Sequence, residues 1–65
     1  LTVKLNRPAV GVAVQLYNLQ GQVVRMLTPQ AQVFTLNTEA LPTGIYFLRV
    51  ANKSWQLAQR VLILN

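Results

Sequence analysis

Glu39 is the only carboxylate side chain in this chain, which has no histidine and no cysteine. Acid–base and covalent catalysis need a base, a nucleophile and a partner to tune them. Zinc sites, histidine-based triads and paired-carboxylate hydrolysis therefore lack their parts. The inventory points to no enzyme, no metal and no cofactor. The basic residues are Lys4, Arg7, Arg25, Arg49, Lys53 and Arg60, for a net charge of +5. A nucleic-acid surface wants cations on one face with aromatics between them. These six stand singly, so no nucleic-acid partner is expected. Charged residues make up 11 % of the chain, less than half of the usual ~25 %. Such a surface leans on Gln, Asn and Thr and leaves room for a partner. Tyr17, Phe34, Phe47 and Trp55 are candidates for a sugar-stacking platform. At strand positions, however, aromatics read first as core or cross-strand pairs.

Any site must be carried by one small domain of 65 residues. A chain of this size buries only about 60 % of its unfolded surface, so the core is thin. No stretch reaches the ~18 apolar residues of a membrane helix, and no signal peptide opens the chain. It starts already in strand pattern with LTVKL. Residues 1–65 are therefore expected to be a single domain cut from a longer precursor.

Period-2 alternation runs along nearly the whole chain. Leu1, Val3 and Leu5 share one face of a first strand. Val10, Val12, Val14 and Leu16 share one face of a second, and Asn18 to Gly21 form a turn in which Gly21 takes positive φ. In the return strand Val24 and Met26 oppose Val23, Arg25 and Leu27. Phe34 and Leu36 alternate in the next. Tyr46, Leu48 and Val50 alternate after the corner at Leu41–Gly44. Asn52-Lys53-Ser54 reads as a tight turn rather than a glycosylation sequon, and Trp55 to Leu64 is a last long strand. No segment reads as a helix. Short strands joined by Gly, Asn and Pro turns argue an all-β chain. The expected fold is a small immunoglobulin- or fibronectin-III-like antiparallel β-sandwich of five to seven strands, with room for one missing N-terminal strand.

The corner and the tail are the two most informative stretches. In LPTGIY, Leu41 plugs the core and Pro42 fixes φ. Gly44 provides a backbone shape or close approach that a side chain would block. Tyr46 buries its ring and sends its hydroxyl to upstream backbone, as at the tyrosine corner of immunoglobulin-like sandwiches. The tail, Arg60-Val61-Leu62-Ile63-Leu64, abandons alternation. Either both faces of this strand are covered, as in a central strand with Leu64 under a loop, or one face meets a partner. Strand addition or burial in a groove would serve a docking tail. Residues Leu62 to Asn65 are expected to be dispensable for folding.

These stretches, in this order, resemble the C-terminal sorting domain of the type IX secretion system of Bacteroidetes. VAVQLYNLQGQVVRML, with Asn18 and Gly21, resembles the family's early hairpin. FTLNTEALPTGIYFLRV, with Leu41, Pro42, Gly44 and Tyr46, resembles its central motif. QRVLILN, with Arg60 before Val61 to Leu64, resembles its terminus. A Tyr-Pro-Asn-Pro-like opening that the family usually carries is lacking. The resemblance implies a non-catalytic C-terminal secretion signal that takes an N-terminally fused cargo from the periplasm across the outer membrane. The implied partners are the outer-membrane translocon, its shuttle protein and a sortase-like peptidase that removes the domain at the cell surface. The domain is not expected to span the membrane. Translocon recognition falls to Arg60, Val61, Leu62, Ile63 and Leu64. The alternative is a fibronectin-like accessory or carbohydrate-binding module of a secreted enzyme.

Overall fold

The computed structural model describes residues 1–65 as six strands and no helix. They are β1 (Thr2–Lys4), β2 (Ala13–Tyr17), β3 (Val23–Leu27), β4 (Val33–Thr35), β5 (Gly44–Ala51) and β6 (Gln56–Ile63). One antiparallel sheet has the order β3-β2-β5-β6, and β1 and β4 pair as a second. The chain is thus a small all-β sandwich, as the alternating pattern leads one to expect, and six strands fall within the expected range.

Alternation puts every second side chain on one face of a strand. The larger sheet accordingly turns Val14, Leu16, Tyr46, Leu48, Val50 and Ile63 inward. Leu5, Leu36 and Leu41 close over them from the other side, and Val12 enters just ahead of β2. Each such side chain adds about 1.5–3 kcal/mol by leaving water. Phe34, Val24 and Leu27 flank this core, half-buried.

Two strands depart from simple alternation. β2 begins at Ala13, and Val10 lies outside it, 87 % exposed. Gly11 has φ +72° and the Val12 amide donates to the Ala9 carbonyl at 3.1 Å, so a tight turn replaces the first part of the expected strand. In β3 the register shifts opposite Leu16 and Tyr17. An extra residue on one strand changes which side chains face the core. Val24 and Leu27 therefore pack against the core, whereas Met26, expected to share the face of Val24, is 70 % exposed.

Both chain ends lie at one pole. Leu1 exchanges hydrogen bonds with Leu36, its backbone nitrogen donating at 3.1 Å and its carbonyl accepting at 2.7 Å. The Asn65 carboxamide donates to the Thr38 and Leu41 carbonyls of the same loop. The β5–β6 hairpin sits at the far end, where Asn52 Oδ1 accepts from the Ser54 amide at 2.8 Å and the Trp55 amide at 3.0 Å.

Candidate functional site

The corner before β5 is held from three directions. Leu41 is buried in the core, and its amide donates to the Thr38 carbonyl at 3.2 Å. The Tyr46 ring is buried, and its hydroxyl donates 2.7 Å to the Pro42 carbonyl, four residues upstream. Arg25 reaches over from β3: Nε donates to the Asn37 carbonyl at 2.9 Å and one terminal nitrogen to the Glu39 carbonyl at 2.8 Å. That arginine reads in the sequence as one scattered cation, and nothing in its neighbours signals the bridge.

Gly44 does not play the expected part. Its φ lies outside the left-handed region, and a Cβ built on it would meet no atom within 4 Å. The left-handed residue of the corner is Ala40, at φ +68°. The tight turn comes before the proline, so the glycine needs no special shape. The early hairpin does use its glycine: Gly21 has φ +82°, and Asn18 Oδ1 accepts from the Gln20 and Gln22 amides, both at 3.0 Å.

β6 is an edge strand, not a central one, with nothing over Leu64. Its final run splits by face. Ile63 is 5 % exposed and belongs to the core, while Leu62 is 63 % and Leu64 74 % exposed. Val61 is half-buried, and Arg60 is exposed opposite Phe47 of β5. The Asn52 amide bonds the Trp55 carbonyl at 2.9 Å and closes the hairpin. Antiparallel ladders alternate bonded and non-bonded pairs. From that start, the backbone groups of Gln56, Ala58, Arg60 and Leu62 point away from β5 to the open edge.

The end of the chain is clasped to the corner. Asn65 Nδ2 donates to the Thr38 carbonyl at 2.8 Å and the Leu41 carbonyl at 2.6 Å. Thr43 Oγ1 accepts from the Asn65 amide and donates to its carbonyl, each at 2.8 Å. Leu62 to Asn65, expected to be dispensable for folding, thus carry one core residue and this clasp, both of which their removal would take from the fold. Sequence reasoning stopped at Leu64, because an asparagine after a strand carries no signal of its distant partners.

The outer face of the larger sheet carries Val23, Tyr17, Phe47 and Arg60 in one row across all four strands, with Ile45 and Leu62 in the next. Arg49 on the same face donates to Gln56 Oε1 at 2.9 Å. The four aromatics form no common platform. Tyr17 and Phe47 are paired outside, Phe34 packs against the core, and Trp55 lies under the Arg7 guanidinium, 5.0 Å from its ring centroid.

A family model described as the secretion system C-terminal sorting domain matches residues 1–64. This chain belongs to that family. No curated protein and no solved structure matches it. The sorting domain is the C-terminal secretion signal of type IX secretion, and an origin in Bacteroidetes fits the family. It implies a type IX secretion system and a cargo fused on its N-terminal side. It also implies export to the cell surface or beyond, and such signal domains are generally non-catalytic. Nothing in the fold or in the comparisons favours a carbohydrate-binding module. No helix is long and apolar enough to cross a membrane.

Proposed function

We propose that residues 1–65 act as one non-catalytic address domain whose terminal strand is read by the outer-membrane translocon. The cargo arrives in the periplasm, a shuttle protein receives the exported domain, and a sortase-like peptidase at the cell surface removes it. Recognition uses the outer side of β6. Leu62 and Leu64 offer apolar side chains, the open edge offers backbone donors and acceptors, and Arg60 fixes the register by a charge-assisted hydrogen bond to the partner. Ile63 anchors the same strand in the core, while the Pro42–Tyr46 corner and the Asn65 clasp hold it in place. The observation that carries this reading is the split between Ile63 at 5 % and Leu62 and Leu64 at 63 % and 74 % exposure. An exposed apolar edge is a liability that natural sheets otherwise blunt.

Truncating the tail would confound recognition with folding. The test is therefore Leu62→Asp with Leu64→Asp, in the sorting domain fused behind a periplasmic reporter in a host with the translocon. The double variant is expected to melt like the parent and to leave the reporter in the periplasm. Ile63→Asp is expected to unfold the domain. Normal export of a folded double variant would overturn the proposal.

A further inference from the structure

The sandwich is lopsided, with four strands facing two. β1 and β6 are both edges, and a groove of about 370 Å³ runs between them. Val3, Leu5, Leu48, Val50 and Leu57 line it with apolar groups. Val50 and Leu48 of β5 are buried, yet their neighbour Leu57, on the same inward face of β6, is 58 % exposed. The small sheet ends at β1 and leaves the inner side of β6 uncovered around Leu57 and Gln59, while Val61 and Ile63 farther along the strand pack on the core.

The edge of β1 that borders this gap is unpaired. Leu1 and Leu5 both bond β4's side of the sheet, Leu1 through Leu36 and Leu5 through the Gln32 carbonyl at 2.8 Å. By ladder alternation the amides and carbonyls of Thr2 and Lys4 point the other way. Lys4 and Arg7 stand at the rim, Arg7 stacked on Trp55, and no carboxylate lines the groove.

We propose that this groove receives an extended segment of a partner protein in which apolar and acidic residues alternate. The segment adds to the edge of β1, roughly 4.8 Å from it, as a third strand of the small sheet. Its inward residues cover Leu57, and its outward residues meet Lys4 on the outer face, with Arg7 taking an acidic group at the groove's end. A free anion or a lipid headgroup would use the cations but not the apolar floor or the open backbone. An extended acidic peptide uses all three. This surface is separate from the outer side of β6 and does not depend on how the terminal strand is read.

The chain holds a single tryptophan, Trp55, which lies in the groove and reports its occupancy. The probe is a short capped peptide of alternating valine and glutamate, titrated against the 65-residue chain. A saturable change in Trp55 emission is expected, with amide shifts at Thr2 and Lys4. Leu57→Gln and Arg7→Glu are each expected to weaken binding about tenfold without lowering the melting temperature, and a valine–lysine peptide to bind at least about tenfold more weakly. Equal binding of the lysine peptide, no saturation by about 1 mM, or amide shifts confined to Ala58, Arg60 and Leu62 would each overturn the proposal.

Discussion

Replacing Tyr46 with phenylalanine isolates a single one of the hydrogen bonds that hold the corner. The ring stays and only the hydroxyl, 2.7 Å from the Pro42 carbonyl, is lost. An acceptor orphaned in a dry core would cost about 1–3 kcal/mol. Pro42 is exposed, however, so water can take over its carbonyl. The loss is then that of an ordinary intramolecular bond, about 0.5–1.5 kcal/mol. For 65 residues the whole stability is on the order of 3–10 kcal/mol. A loss of about 1 kcal/mol lowers the melting temperature of so small a domain by roughly 4–8 °C. Tyr46→Ala also empties the space of a buried ring, about 3–5 kcal/mol for a large aromatic, which rivals the entire stability. Thermal unfolding followed by circular dichroism separates the two. Tyr46→Phe is expected to melt cooperatively a few degrees lower, and Tyr46→Ala to be largely unfolded. A phenylalanine variant that melts with the parent, or one as damaged as the alanine variant, would refute the account of the corner.

Ala40→Gly is expected to raise the melting temperature, because an L-residue at φ +68° is strained by about 1–2 kcal/mol and glycine loses only part of that gain to backbone entropy. Gly44→Ala, at a position of ordinary φ with open space around it, should stay within about 0.5 kcal/mol of the parent in urea unfolding. Asn65→Ala should release the end of β6, seen as amide exchange at Ile63 about tenfold faster while the β2 amides keep their protection. An unchanged Ile63 rate would mean that the clasp does not hold the strand.

The strands from Leu1 to Leu5 and from Tyr46 to Val50 were legible because both present one apolar face to a single core. The hydroxyl of Tyr46 was legible too, since a buried phenol needs an acceptor and the corner offers backbone nearby. Val10 misled because alternation takes no account of Gly11, whose positive φ turns the chain before the strand can start. Met26 misled because a bulge is set by both strands of a pair, and only one of them is in view when a segment is read alone. Gly44 misled by type: the local conformation is decided by the path of the loop, and here Ala40 takes the left-handed turn. Arg25 and Asn65 were invisible as site residues because their partners lie 12 or more positions away.

Periodicity and turn residues were enough by themselves to determine an all-β chain, the composition shows one carboxylate side chain and neither histidine nor cysteine, and the order of the motifs points to an export signal. Those properties are local or compositional, so no folding is needed to read them. Only the tertiary structure decided that β6 lies at an edge, that Ile63 turns in while Leu62 and Leu64 turn out, and that β1 leaves a groove beside Leu57. A run of four apolar residues is compatible with either face being buried. What decides is which strands lie alongside and which sheet lies above, and those neighbours come from distant parts of the chain.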